Sequence, residues 1–339
     1  MNDIPEWARA HGPGLFAASI RAQASDFVVV ECCGFEFSGD GEHDYLWIEK
    51  IGSNTHWVAE CLAKYSGIPV RDVGYAGLKD RHAVTRQWFS VRRAGPVDWD
   101  AFTADGMVIL EQKVHRRKLR RGAHSGNSFH IALRSDDIGT NLEGIQDRIA
   151  VIDQSGVPNY FGEQRFGHGG GNMELGRQLF AGRKLSRHKR GIALSAARSL
   201  IFNEILGVRV KQGSWNTILP GELANLDGSA SVFAVEEVDD ELISRCDAHD
   251  IHPSGSLWGI GAPQSAFDVA HLEREVAQAH AEIAAGLTSA GVDASTRPLR
   301  LRVRDLKWTT EDGVCWLDFS LPKGGYATTV LHEIVDLQS

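Results

Sequence analysis

Gly74 to Val91 reads GYAGLKDRHAVTRQWFSV, a glycine-flanked turn that runs straight into an apolar strand. The turn carries one carboxylate, Asp80, between two cations, Lys79 and Arg81. A carboxylate meant to act as a nucleophile must stay ionised. Adjacent positive charge favours that form, and a loop ahead of a strand displays the side chain to substrate. The same features also fit a solvated turn, since Gly-rich turns of mixed charge are common.

On either side of this stretch the first third of the chain has the texture of strands. Leu15 to Arg21, Phe27 to Cys32, Tyr45 to Ile48, Trp88 to Arg92, Met107 to Glu111 and Asn127 to Arg134 are short, rich in β-branched or aromatic residues, and bounded by turn residues. Thr55 to Tyr65 departs from that texture: Trp57, Val58, Cys61, Leu62 and Tyr65 recur at helical spacing behind Asn54 or Thr55 as cap. Leu142, Ile145, Ile149 and Ile152 mark another helix. The stretch SGVPNYFGEQRFGHGGGN, Ser155 to Asn172, fits neither period and is read as a connector. Helices follow at Met173 to Ala181, Ile192 to Leu206 and Val269 to Ala285, and strands return at Leu299 to Val303 and Val314 to Leu321. The helix-rich part is therefore expected as an insertion, residues 156–304, within a strand-rich domain made of 1–155 and 305–339.

At 339 residues the chain exceeds what one hydrophobic core usually supports, so two domains are the natural expectation. The start, MNDIPEWARAHGPG, lacks a basic segment followed by an apolar run, and no uninterrupted apolar stretch approaches a bilayer span; a cytoplasmic protein is expected. Five cysteines without a CxxC pair suit free thiols. The net charge of −8 argues at first against a polyanionic partner. Its distribution argues otherwise: Lys113 to Arg134 holds seven basic residues and no acid, and Arg183 to Arg198 holds six more and no acid. Two such runs in an acidic chain are an electrostatic footprint for phosphates.

Six blocks in order, SDFVVVE, GYAGLKDRHAVTRQ, HRRKLRRGAHSGNSF, VPNYFGEQRFG, LSAARSLIFN and LPKGGYATT, resemble the signature blocks of the TruD family of tRNA pseudouridine synthases and cover nearly the whole chain. The resemblance implies an α+β fold: a pseudouridine synthase-type catalytic domain with a mixed, mainly antiparallel sheet, plus an inserted α+β domain. It also implies the activity, isomerisation of the uridine at position thirteen in the D-stem region of tRNA, with Asp80 matching the family's catalytic aspartate. A tRNA is the implied partner of a monomer that needs no other protein.

Pseudouridine formation breaks the bond between ribose C1′ and uracil N1, turns the base and rejoins it through C5, with nothing oxidised or added, so no cofactor or metal is expected. A carboxylate can attack the sugar carbon or the base, or remove a sugar proton; the residues leave these alternatives open. The base must leave its stack, at a cost of a few kcal/mol, and aromatic contacts replace about 1 to 3 kcal/mol of it. The resemblance assigns Phe27, Phe129 and Tyr326 to stacking on or bracing the target base, and Asn127 to its edge or ribose. Arg21 stands where the family pattern carries Lys as the active-site cation, a change of donor geometry. The group that takes the C5 proton is not identified. Lys79, Lys118, Arg120, Arg121, Arg165, Arg187, Lys189 and Arg190 are the expected phosphate contacts, which position RNA without reading its sequence.

Rival readings are weaker. The glycine run Gly167 to Gly171 lacks GxGxxG spacing and a preceding strand. Cys246, His249 and His252 sit three apart but lack a fourth zinc ligand. A noncatalytic RNA-binding protein, with Asp80 merely closing a turn, is the alternative from another class.

Overall fold

A computed structural model describes residues 6–338; the first five residues of the stretch read for an export signal lie outside them. The chain is α+β and divides into two compact units, one of residues 15–149, 303–325 and 335–338, the other of residues 6–14, 150–302 and 326–334.

The first unit is built on an eight-stranded sheet. Its order is Arg304–Glu311, Val314–Pro322, Gly126–Arg134, Phe27–Cys32, Val84–Arg92, His43–Lys50 and Met107–His115, with Val73–Tyr75 also pairing to Val84–Arg92. Every pairing is antiparallel except that of Phe27–Cys32 with Val84–Arg92, where Val28 faces Val84. Parallel strands begin at the same end of a sheet. The turns that lead into these two, one holding Arg21 and the other Asp80, are therefore brought side by side.

Register fixes which side chains share a face, because cross-strand partners point the same way and successive residues along a strand point to opposite faces. Phe27, Val29 and Glu31 face Ile131, Phe129 and Asn127 on one neighbour; Val29 faces Thr85 on the other, and Thr85, Gln87 and Phe89 face Lys50, Ile48 and Leu46 beyond it. Helix Thr55–Ser66 covers part of this face, packing Val58, Ala59, Leu62 and Ala63 against Leu46, Ile48, Phe89 and Val91. Asn54 caps it by accepting from the Trp57 amide at 2.8 Å, and Gly67 ends it in the left-handed conformation.

Two glycines are dictated by close approach. A Cβ on Gly74 would lie 2.4 Å from the Leu119 carbonyl oxygen, and one on Gly126 would lie 2.3 Å from that of Leu321. Only glycine lets these backbones meet.

The second unit is organised around helix Arg187–Lys211, whose Ala196, Leu200, Phe202 and Leu206 are buried with Tyr160, Phe161, Phe166 and Leu299. Its length and hydropathy would suffice to cross a bilayer, but most of its apolar stretch is buried in this core. Three expectations are corrected. The helix begins at Arg187 rather than Ile192, so Arg187, Lys189 and Arg190 of the second basic run lie in its first turn. The single helix expected from Val269 to Ala285 is two, Phe267–Ala279 and Ala281–Ser289, broken at His280 (φ −116°, ψ 40°). The amino-terminal strand shrinks to Ala17–Ala18, which pairs with Asp336–Leu337.

Cys246, His249 and His252 are engaged within this unit. The Cys246 thiol donates to Asn216 O, His249 Nε2 bonds to Gln154 O, and His252 Nδ1 accepts from Arg300 while its Nε2 lies 3.1 Å from Asp227.

Candidate active site

Asp80 sits in the turn between Val73–Tyr75 and Val84–Arg92, its side chain 23% exposed. Each carboxylate oxygen is held. Oδ1 accepts from the His82 amide at 2.9 Å, a local turn bond typical of aspartate, and Oδ2 lies 2.9 Å from the Arg21 guanidinium. Arg21 has φ of 60°, a left-handed backbone conformation that costs a residue with a Cβ about 1 kcal/mol. That strain aims its guanidinium at Asp80 and over the Phe27 ring, 4.1 Å from the centroid. The turn behind Arg21 is secured by Asp26, whose two oxygens accept from Arg134 at 2.9 and 2.7 Å.

The Asp80 turn is fastened both from within its own block, by Arg81 and Gln87, and from outside it, by Thr55 and Lys50. Thr55 Oγ1 accepts from the Lys79 amide at 2.9 Å and donates to Gln87 Oε1 at 3.1 Å, and Gln87 Nε2 donates to Gly77 O at 3.2 Å. Lys50 Nζ donates to the Asp80 carbonyl at 2.8 Å, and Arg81 Nε donates to Gly52 O at 2.8 Å.

Lys79, expected on the RNA face, requires a correction. Its ammonium is 2.9 Å from Glu31 Oε2, with side-chain exposures of 5% and 2%, so it ties the turn to the sheet and is not available to a phosphate. Glu31 Oε1 also accepts from the Trp88 amide at 3.3 Å.

Phe27 and Phe129 are buried rather than open. They meet edge to face at 6.4 Å, and Phe129 stacks on Phe319 at 5.3 Å. Phe27 forms a floor beneath Arg21, and Phe129 backs Phe27. Asn127 lies opposite Glu31, and its Oδ1 is buried without a hydrogen-bond partner among the described residues. Three other buried polar atoms of this neighbourhood share that property: Arg21 Nε, Thr85 Oγ1 and His124 Nδ1. Unpaired buried groups cost about 1 to 3 kcal/mol each and are uncommon in folded proteins. Burial also lowers the His124 pKa, with Lys79 adding to the effect, so its ring is held in the neutral form.

Tyr326 and Arg165 belong to the second unit. Arg165 donates to the Tyr326 hydroxyl at 2.7 Å and to Ser195 Oγ at 2.8 Å, with its guanidinium 5.1 Å from the Phe161 centroid. Arg165 thus fixes Tyr326 within that unit through neutral hydroxyl partners. Of the first basic run, Arg120 and Arg121 are exposed, Arg121 stacking on Tyr75 at 3.9 Å, while Lys118 donates to the Arg71 carbonyl. Arg187, Lys189 and Arg190 are exposed in the first turn of their helix, where the helix dipole disfavours cations. Arg190 donates to Ala290 O at 2.6 Å.

Comparison with known proteins places the chain among relatives of one kind. Residues 10–184 and 180–334 match the family model described as tRNA pseudouridine synthase D (TruD). A protein of that name from Methylococcus capsulatus is 46% identical, with 99% of this chain and 95% of that one covered. Another from Chromohalobacter salexigens is 43% identical, with 98% and 96% covered. A crystal structure of a TruD-type chain from Methanosarcina mazei, 18% identical, superposes with a TM-score of 0.73 over 98% of this chain and 96% of that one, a likeness of fold.

Proposed function

Because the chain belongs to the tRNA pseudouridine synthase D (TruD) family, we propose that it is a cytoplasmic isomerase that converts the uridine at position thirteen of tRNA, in the D-stem region, to pseudouridine, with Asp80 as its catalytic carboxylate. The observation that carries this reading is the holding of Asp80: partly exposed, one oxygen on a backbone amide, the other on Arg21, at the end of the sheet where the two parallel strands begin. An oriented carboxylate with lone pairs to spare can engage a uridine that has left its helix. In the reaction the C1′–N1 bond breaks, the base turns, C1′ bonds to C5, the C5 hydrogen leaves as a proton and N1 gains one.

In this reading the catalytic domain is that of residues 1–155 and 305–339 and the inserted domain that of 156–304; the compact units differ from these bounds in grouping 6–14, 150–155 and 326–334 with the inserted part and 303–304 with the catalytic one. Phe27 and Phe129 brace Arg21 and the base from beneath, and Asn127 offers its unpaired amide oxygen to the uracil or ribose. The assignment of Tyr326 rests on the family resemblance. Arg120, Arg121, Arg187, Lys189 and Arg190 meet phosphates.

The test is tritium release. A tRNA labelled at uridine C5 should lose its label to water with this protein, and the product should carry pseudouridine at position thirteen. Retention of the label with intact tRNA binding would support the binding-only alternative, and strand scission or free uracil would indicate a nuclease or glycosidase.

Two further outcomes are expected. Asn127→Ala should lower turnover about 10-fold or more with little change in tRNA affinity, because its contact is with an extruded base. Equal losses in both, measured by single-turnover kinetics and filter binding, would return Asn127 to a structural role. Neutralising Arg187 and Lys189 together to Gln should weaken tRNA binding and flatten the slope of log affinity against log salt by about one to two, roughly one for each phosphate left without its cation. It should also remove charges that oppose the helix dipole, so stability should hold or rise.

A further inference from the structure

Lys50 ends strand His43–Lys50 on the same face as Leu46 and Ile48, and it is fully buried (0% exposed). Its cross-strand neighbours, Thr85 and Met107, are neutral. Its ammonium donates to two backbone carbonyls, Ser53 O at 2.6 Å and Asp80 O at 2.8 Å, and no carboxylate forms an ion pair with it among the described residues. A buried ammonium held only by carbonyl dipoles is an unfavourable choice for a core position that the strand's alternation reserves for an apolar residue. Burial pushes its pKa down to about 8, an effect that Asp80 partly offsets and Lys79 reinforces. Between that value and the ordinary lysine value the unfolded chain holds the proton more tightly than the folded one. Stability at this site therefore rises with pH across that window, and at neutral pH the ammonium is a standing cost to the fold.

We propose that Lys50 is a positioning residue for catalysis: its ammonium joins the turn at Ser53 to the turn at Asp80 and sets the main chain from which the Asp80 carboxylate projects. The inference rests on the function proposed above. The Asx-type bond to His82 and the ion pair to Arg21 orient the carboxylate relative to its own backbone and to the neighbouring turn. Lys50 fixes that backbone relative to the sheet. Misplacement of a reacting group by about 1 Å can cost about 100-fold in rate.

The experiment compares Lys50→Met with wild type by thermal unfolding, tRNA binding and single-turnover tritium release between about pH 6 and pH 10. Lys50→Met should unfold at the same or a higher temperature, bind tRNA as the wild type does, and show a rate reduced about 10- to 100-fold. The wild-type rate should decline as pH rises through about 8, where Lys50 loses its charge, and Lys50→Met should lack that limb. The charged groups facing Lys50 are Asp80 and Lys79 on the turn, whose own partners are Arg21 and Glu31; Thr55 and Gln87 around them are neutral. A wild-type rate in Lys50→Met, or parallel losses of stability, binding and rate, would overturn the proposal. Should the variant fail to fold, the wild-type profile decides, and a rate that stays flat through this range overturns it. Absence of tritium release by the wild type would remove the proposed function itself, whereas release with an unaltered rate in Lys50→Met removes only this inference.

Discussion

Asp80→Ala should abolish tritium release, lowering the single-turnover rate at least about 1000-fold, while tRNA affinity and thermal stability stay close to wild type. The contrast follows from magnitudes. The pair between Asp80 and Arg21 has side-chain exposures of 23% and 26%, and ion pairs of that kind contribute about 0 to 1 kcal/mol to stability. The bond from the His82 amide adds about 1 kcal/mol. The other ties of the turn, at Gly77, Lys79, Arg81 and the Asp80 carbonyl, do not involve the carboxylate and survive the substitution. Asp80→Asn should be equally inactive, because it keeps an acceptor for His82 but removes the charge. Measurable turnover in either variant would move the chemistry to another residue.

Lys79→Met should destabilise the protein by about 3 to 5 kcal/mol, because it leaves the Glu31 carboxylate buried at 2% exposure without its cation. In a unit of this size that corresponds to a fall in Tm of roughly 10 °C. Glu31→Leu combined with Lys79→Met should recover most of the loss, since a buried ion pair and an apolar pair of similar volume are often equivalent. Recovery should be incomplete, as the Trp88 amide loses its acceptor. Thermal unfolding of the two single variants and the double variant gives the coupling. A Lys79→Met loss below about 1 kcal/mol would mean that the pair is solvated, as surface ion pairs are.

Much of the local structure is legible in the residues themselves. Phe27 to Cys32 is a strand with the bounds its composition suggests, and Thr55 opens the expected helix behind Asn54. Asp80 and Arg21, 59 positions apart in the sequence, become neighbours only through the parallel pairing, which no local pattern announces. Lys50, Glu31, Thr55 and Gln87 depend on register in the same way, yet two of them leave a signal. Leu46, Ile48, Lys50 and Phe27, Val29, Glu31 are alternating series whose third member is charged where a core residue belongs. A charge on the buried face of a strand demands a partner, and both partners lie in the Gly74 to Val91 stretch. Lys79 misleads for the complementary reason: in sequence a lysine in a turn looks solvated, and its burial depends on a carboxylate 48 positions away. Read from sequence, the long helix starts late because Arg187, His188, Lys189 and Arg190 in a first turn contradict the dipole preference that marks helix beginnings.

The turn around Asp80 is pinned through Gly77, Lys79, Asp80 and Arg81, and so has little freedom to follow a moving ligand. If the chain acts on tRNA as proposed, deformation falls to the nucleic acid rather than to this turn. On that proposal substrates would be sorted by mechanical compliance, with RNA junctions that unstack at least cost favoured and selectivity emerging at places the protein never touches.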